Sequence, residues 1–223
     1  MTRRVLLSWS SGKDCAWTLH VLRQQAEVEL VGLLTTYNEA NNRVSMHAVR
    51  KDLVEKQAAA AGLPLWTVGL PSPCSNEEYE GRMRRVVERA LAEGVTDMAF
   101  GDLFLGDVRQ YREDMLSGTG IEPMFPVWCA EGETPALARE MLNGGLRGVL
   151  TCVDPSQLDG SFVGRDFDEA LLEALPPGVD PCGERGEFHT FCSDGPMFEQ
   201  AIPVKLGEIL SRDGFRFADV LPG

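Results

Sequence analysis

The chain has 223 residues, of which 21 are Lys or Arg and 34 are Asp or Glu, so its formal net charge is −13. This acidic balance argues against a broad nucleic-acid-binding surface, because neutralising phosphates needs clustered Lys and Arg. No apolar run approaches the ~18 residues that mark a membrane span. We therefore expect a globular protein with no membrane segment, in which any anion site is local.

The six cysteines are scattered along the chain and include no Cys-x-x-Cys pair. Disulfide frameworks belong to short secreted chains, and the apolar stretch after the basic start is shorter than that of a signal peptide. The cysteine pattern therefore predicts a reduced, cytoplasmic protein without a structural zinc site.

The first half of the chain alternates short apolar runs with segments of helical periodicity. A helix is predicted at 13–26, a polar loop at 37–45, a second helix at 47–61, and a third helix from the capping box of Ser75 and Glu78. Buried strands are predicted between these segments, at 4–9, 28–36, 65–68 and 98–100. Strands separated by helices imply right-handed crossovers and a parallel sheet with helices on both faces.

The alternation of predicted strands and helices becomes less regular after about residue 125. A helix at 134–143, a strand at 146–153 and a helix opened by Asp166 precede a tail of short strand-like pieces broken by Gly and Pro. The pattern predicts an N-terminal domain at 1–125 and a smaller C-terminal α+β domain at 126–223.

The segment 8–14, Ser-Trp-Ser-Ser-Gly-Lys-Asp, joins the first strand to the first helix. In α/β sheets ligands bind at the carboxyl ends of strands, and the free amides of a helix start attract anions. Gly12 lets the backbone approach an anion, Ser10 and Ser11 add hydroxyl donors, and Lys13 adds a full charge. The segment therefore predicts a phosphate site, and the alternative is a plain βα turn with a solvated lysine.

The tail carries a second signature at 181–191, Pro-Cys-Gly-Glu-Arg-Gly-Glu-Phe-His-Thr-Phe, followed by Asp-Gly-Pro-Met-Phe at 194–198. The segment 8–14 resembles the PP-loop of ATP pyrophosphatases, although Ser11 and Cys15 replace a usual Gly and Ser. The tail block resembles that of the diphthine–ammonia ligase family, whose members are PP-loop ATP-binding proteins. His189 within it is a variant associated with bacterial relatives.

The resemblance implies both a fold and an activity. The implied fold is a five-stranded parallel sheet of the adenine nucleotide α-hydrolase type with helices on both faces, plus a smaller C-terminal α+β domain that closes over the site. The implied activity is that of an ATP-dependent ligase, which splits ATP into AMP and pyrophosphate, adenylates a carboxylate and lets ammonia displace AMP. ATP, Mg²⁺, ammonia and an unidentified carboxylate acceptor are the implied ligands, and a homodimer is common for such sheets.

The loop, the strand ends and the tail block supply the candidate site residues. Those expected to bind ATP are Ser8, Ser10, Ser11, Gly12, Lys13, Asp14, Thr35, Thr36, Gly101 and Arg112. Those expected to act in catalysis are Lys13, Asp102, Glu184 and Glu187. Asp14 is also the expected Mg²⁺ ligand, since hard oxygen ligands suit that ion. Glu184 and Glu187 would position the acceptor or ammonia, or serve as a base for ammonia; the alternative is a solvated turn.

Several residues keep two interpretations. Arg112 with Asp107 is either a phosphate clamp or a surface pair. His47 is first of all a helix-start residue, and contact with the acceptor is its weaker interpretation. His189 is first of all a packed residue, although an imidazole can carry protons near neutral pH.

Two other functions remain open from the sequence. One is a nucleotide-binding regulatory protein without turnover, and the other is a PP-loop enzyme that modifies tRNA. The net charge of −13 and the absence of paired cysteines argue against the second.

Overall fold

The computed structural model describes residues 2–44 and 47–223. The N-terminal sheet has the strands β1 (Arg3–Ser8), β2 (Val28–Asn38), β3 (Arg43–Val44), β4 (Leu65–Leu70), β5 (Asp97–Ala99) and β6 (Glu122–Met124). All strand pairs are parallel except that of the short β3, which runs antiparallel to the end of β2. The parallel strands lie in the order β4-β2-β1-β5-β6. The five-stranded parallel sheet implied by the resemblance is therefore confirmed.

Helices cover both faces of this sheet. They are α1 (Lys13–Arg23), α2 (Lys51–Ala60), α3 (Asn76–Ala92) and α4 (Gly106–Leu116). Successive side chains of a strand point to opposite faces. Leu7 and Leu33 accordingly share a core with α1 and α2, whereas Leu6 and Leu34 share a second core with α3.

The C-terminal part is a second sheet with two small helices. Its elements are α5 (Thr134–Asn143), β7 (Arg147–Val153), α6 (Glu169–Ala174), β8 (Phe188–Asp194), β9 (Val204–Arg212) and β10 (Phe215–Pro222), with 3₁₀ turns at Glu131–Glu133 and Gly160–Phe162. The sheet is antiparallel, in the order β8-β7-β10-β9. The core around α1 continues into β7 and β8 without a break, so the predicted boundary near residue 125 stays a prediction.

The predicted elements in the first half differ from the structure in two places. α2 begins at Lys51, so His47 lies in the connection before the helix rather than at its start. Ser45, at the end of the predicted polar loop, lies outside the described residues. α4 was not predicted, because Leu116 is its one buried residue and its sequence lacks a periodic apolar stripe.

One of the two predicted acidic or hydroxyl helix caps is present, and the other lies two residues away. The capping box of Ser75 and Glu78 is present at the start of α3. The cap of α6 is Asp168, whose carboxylate accepts the N–H of Leu171 at 2.7 Å, and not the predicted Asp166. Across 2–44 and 47–223, every helix is too short or too polar to cross a lipid bilayer.

Candidate functional site

The loop 8–14 makes a tight turn between the end of β1 and the start of α1. Ser11 has a φ of 75°, in the left-handed region, and Gly12 is the N-cap of α1. A Cβ on Gly12 would lie 2.8 Å from Cε1 of His47, closer than packed carbon atoms come. A side chain at this position would therefore force the His47 ring to shift, whereas glycine leaves the ring in place against the start of α1.

Lys13 is the charged group at the centre of the site and is only 2% exposed. Its Nζ donates to both carboxylate oxygens of Asp14, at 2.9 and 2.8 Å, and to the backbone carbonyl of Cys182. The rings of Phe167 and Phe188 lie 5.7 and 5.6 Å from the ammonium group. Burial favours the neutral amine, but the adjacent carboxylate outweighs it, so the pKa of Lys13 is raised and the side chain stays charged.

The tail block lies directly against the loop through strand β8. The Lys13 backbone N–H donates to Oγ1 of Thr190 at 3.0 Å, and the Cys192 N–H donates to the Ser11 carbonyl at 2.9 Å. The Gln57 amide on α2 donates to both the Ser11 and the Cys192 carbonyls, at 3.0 and 2.7 Å. The two sequence signatures, from opposite ends of the chain, therefore meet in one place.

A cavity of about 380 Å³ opens where they meet, within the size range of small-molecule sites. Most of the predicted site residues line it, namely Ser8, Ser10, Lys13, Asp14, Thr36, Gly101, Asp102, Arg112 and Glu184. Another part of its wall is apolar, formed by Leu34, Val44, Met83, Met98, Phe100 and Met115. Charged and polar groups thus meet an apolar surface in a single cavity.

Four predicted residues, Ser11, Gly12, Thr35 and Glu187, are buried and do not line this cavity. The hydroxyls of Ser11 and Thr35 have no hydrogen-bond partner in the described part of the chain. Glu187 is 2% exposed, and its Oε1 accepts the N–H of Asp180 at 2.9 Å, with Nη1 of Arg185 at 3.7 Å. This arrangement does not support direct ligand contacts by their side chains; Ser11 and Glu187 instead hold the loop and the tail block in shape.

Glu184, in contrast, faces the cavity. Its Oε1 accepts the N–H of Leu103 at 2.7 Å, and its own N–H donates to Oδ2 of Asp180 at 2.9 Å. Burial, followed by the nearby charge of Asp14, raises the pKa of Glu184 to about 7. A carboxyl group that titrates near neutral pH is suited to proton transfer.

Arg112 reaches the cavity from α4 and is not paired as predicted. Its Nε lies 3.3 Å from Oδ2 of Asp102, and its guanidinium lies 5.0 Å from the centroid of Phe100. The predicted partner Asp107 is five positions earlier on the same helix, about 140° away around its axis, so the two side chains diverge. A Cβ on the neighbouring Gly101 would lie 2.9 Å from a backbone nitrogen in the first turn of α1, which shows how closely β5 approaches the loop.

Two histidines and a threonine in the cavity wall are outside the list of candidate site residues, although contact with the acceptor was the weaker interpretation of His47 and Thr190 belongs to the tail block. The rings of His47 and His189 stack with centroids 4.6 Å apart, and Nδ1 of His47 lies 3.0 Å from the Thr190 carbonyl. Residues this far apart in sequence show no joint pattern, so only the position of His189 and Thr190 inside the tail block could have signalled them.

The residues present fit a Mg²⁺ ion bound together with phosphates. Within the described ranges, no three His, Cys, Asp or Glu side chains are arranged to hold a metal ion by themselves. Mg²⁺ is usually bound through one or two carboxylates plus phosphate oxygens and water. The Asp14 carboxylate, in the cavity wall beside Lys13, is suited to that shared arrangement.

Comparison with known proteins agrees with this geometry. Residues 3–123 match the family model described as the diphthamide synthase N-terminal domain, and residues 133–217 match the diphthamide synthase C-terminal domain. The diphthine–ammonia ligases of Rattus norvegicus and Homo sapiens are 26% and 25% identical to the chain, over 97% of this chain and 88% of each relative. That of Danio rerio is 27% identical, over 97% of this chain and 92% of the relative.

Among solved structures, a U34-tRNA thiolase from Methanococcus maripaludis aligns with a TM-score of 0.41 and 17% identity. The alignment covers 64% of this chain and 58% of the thiolase chain, less than two thirds of its length.

The N-terminal family match alone covers more than half of the chain, and the C-terminal match takes in the tail block that closes the cavity. The chain therefore belongs to the diphthamide synthase, or diphthine–ammonia ligase, family, a family of ATP-dependent ligases.

Proposed function

We propose that this protein is a ligase that adenylates a carboxylate with ATP and amidates it with ammonia. A carboxylate oxygen bonds to the α-phosphorus as pyrophosphate leaves, and the ammonia nitrogen then bonds to the acyl carbon as AMP leaves. One observation carries the proposal: buried Lys13 of the loop contacts both Cys182 and Thr190 of the tail block, in the wall of one cavity.

The loop would hold the departing pyrophosphate. Lys13 keeps its charge, the start of α1 adds the partial positive charge of the helix dipole, and Ser8 and Ser10 line the same cavity. Negative charge grows on the leaving phosphates in the transition state, so fixed donors here lower the barrier. Asp14 would hold Mg²⁺, which neutralises phosphate charge when bound.

The opposite, apolar part of the cavity would take the adenosine. Thr36 at the end of β2 and Gly101 after β5 flank this part, and Leu34, Met98 and Phe100 line it. Burial of a purine face against such side chains removes apolar surface from water.

Arg112, held by Asp102, would orient the α-phosphate by a charge-assisted contact. Glu184 would take the proton that the attacking ammonia nitrogen must lose, because its pKa of about 7 leaves it partly ionised at neutral pH. Glu187 would act indirectly, as a positioning residue, because it holds the backbone of Asp180, whose carboxylate accepts the Glu184 N–H.

The acceptor of this protein is a carboxylate on a protein or a small molecule. The relatives carry the name of diphthine, and we propose a carboxylate of that general kind here. The six free cysteines support action in a reducing compartment, the cytoplasm.

The test is a product analysis with purified protein, Mg²⁺, ammonium and ATP labelled at the α-phosphate, with water as a slow surrogate acceptor. We expect AMP and pyrophosphate in equal amounts. Lys13→Ala should lower turnover at least about 10-fold, because it removes a charged contact worth ~1.5–3 kcal/mol. Lys56→Ala, at an exposed position of α2, is the matched control and should leave turnover unchanged.

Two results would contradict the proposal. Release of ADP and orthophosphate would exclude adenylation. ATP that binds but is recovered intact, with Glu184→Gln making no difference, would favour a nucleotide-binding regulatory protein.

A further inference from the structure

The imidazole rings of His47 and His189 form a stacked pair in the cavity wall beside the phosphate loop. Their planes are tilted by 36°, and both side chains are half-buried. Cε1 of His47 lies 2.8 Å from where a Cβ of Gly12 would stand, so the His47 ring rests on the loop glycine itself. The proposed ligase chemistry gives neither ring a role.

The hydrogen bond to Thr190 determines which nitrogen of His47 is free. A carbonyl oxygen can only accept, so Nδ1, at 3.0 Å from it, carries the hydrogen. The neutral ring therefore keeps its lone pair on Nε2.

Both rings are neutral while the cavity holds no anion. Burial lowers the pKa of His47, and the Lys13 charge lowers it further. Burial also lowers the pKa of His189, with added contributions from His47 and Lys13. The charged group of α1 that lowers the pKa of both rings is therefore Lys13, and the other titratable group beside each ring is its stacked partner.

We propose that the His47–His189 pair forms one wall of the phosphate subsite and takes up one proton from solvent when the triphosphate binds. A lone pair on Nε2 repels a phosphate oxygen, whereas the protonated ring donates a hydrogen bond to it. Bound phosphates also offset the Lys13 charge, which adds to the effect of burial in keeping the pair neutral. Two stacked imidazolium rings would repel each other, so the pair takes up one proton and not two.

The loop sequence explains why an extra donor is needed here. Cys15 stands where the usual PP-loop has Ser, and its thiol donates to the Gly12 carbonyl at 3.1 Å rather than to a ligand. Ser11 replaces a Gly, and its buried hydroxyl adds no donor to the cavity wall. A protonated His47, in the same cavity wall, would supply a donor.

This inference rests on the proposed function, because it takes the ligand of the loop to be the phosphate chain of ATP. Its test is calorimetry of the full chain with the Mg²⁺ complex of the β,γ-imido ATP analogue at pH 7. Titrations in buffers of different ionisation enthalpy give the number of protons taken up per nucleotide. We expect uptake approaching one proton in the wild type, and uptake smaller by most of that proton in His47→Gln.

The chain offers a matched control because it has only 3 histidines. His20 lies on α1 with its Nε2 at 2.7 Å from the Gln24 amide, and it is not part of the cavity wall described above. His20→Gln should therefore take up as many protons as the wild type. Glu184 titrates in the same cavity, and its contribution cancels when the wild type is compared with His47→Gln.

Affinity gives a second readout. Binding of the analogue to the wild type should weaken by up to about tenfold per pH unit, between the pH at which the pair titrates in the free protein and the pH at which it titrates in the complex. His47→Gln should show a flatter dependence. AMP lacks the β- and γ-phosphates, so wild type and variant should bind it with the same pH dependence. Histidine NMR of the unmodified protein should show one ring signal moving to the imidazolium position when the analogue is added.

The outcomes separate the two proposals. Binding of the analogue with equal proton uptake in wild type and His47→Gln, or with no imidazolium signal, overturns this inference and leaves the proposed function standing. A difference that persists with AMP also overturns it, because the proton would then belong to the α-phosphate. Failure of the wild type to bind the analogue overturns both proposals.

Discussion

Replacing Glu184 by Gln should stabilise the protein at alkaline pH while removing its proposed catalytic base. The folded-state pKa is raised from 4.5 to about 7, because burial and the Asp14 charge disfavour the ionised form. The stability linked to this group is fully present below pH 4.5 and is lost as the pH rises through 7. At about 1.36 kcal/mol for each pKa unit, keeping the carboxylate ionised at pH 8 costs roughly 3 kcal/mol.

Gln cannot ionise, so Glu184→Gln avoids most of this cost. It keeps an oxygen that can accept the Leu103 N–H, but that bond is about 1 kcal/mol weaker than one to a carboxylate. The net gain at pH 8 is about 2 kcal/mol, or a rise in Tm of about 4–8 °C for a chain of this size. At pH 5 the wild-type group is already protonated, and the two proteins should have nearly equal Tm values.

Thermal unfolding at pH 5, 6, 7 and 8 measures the effect. The control is Glu173→Gln, at an exposed position of α6, which should change the free energy of unfolding by less than about 0.5 kcal/mol at every pH. An equal change of Tm at pH 5 and pH 8, or a variant that is less stable than the wild type at pH 8, would contradict this expectation.

Two further substitutions test how the loop is held. Gly101→Ala should raise the KM for ATP and lower Tm, because the added Cβ would lie 2.9 Å from a backbone nitrogen in the first turn of α1. Gly106→Ala adds a Cβ in open space and should leave both values unchanged or raise Tm slightly. Equal effects of the two substitutions would contradict this contact. Thr190→Val should destabilise the protein by ~1–3 kcal/mol, because the buried Lys13 N–H loses its acceptor, and a melting curve that matches the wild type would show that this bond does not hold the loop.

Local patterns in the sequence were sufficient for much of the fold and for one side of the site. The apolar runs around Leu6 and Leu33, with helical segments between them, predicted the strands and helices of the N-terminal sheet. The capping box at Ser75 was likewise readable, because its two partners are three residues apart. Helix α4 could not be predicted from the sequence, since a helix that buries only Leu116 shows almost no apolar periodicity.

The candidate site was predicted only in part, for a related reason. Residue type identified Lys13 and Glu184, and both line the cavity. Residue type also assigned Ser11 and Glu187 to ligand contacts, although both side chains are buried: the Ser11 hydroxyl has no partner among the described residues, and Oε1 of Glu187 accepts the Asp180 N–H. Whether a polar side chain faces a ligand or a neighbouring backbone depends on the turn geometry, which residue type does not encode.

The amino-acid sequence alone determined the parallel sheet, the anion-binding turn after its first strand, and the family block near its end. These features depend on residues that are neighbours along the chain, where periodicity and turn chemistry act. Only the tertiary structure decided that Thr190 accepts the first amide of α1, that Arg112 pairs with Asp102, and that His47 rests on Gly12 against His189. All of those contacts except the Arg112–Asp102 pair join distant segments, and they are set by how the two sheets and their helices share one core.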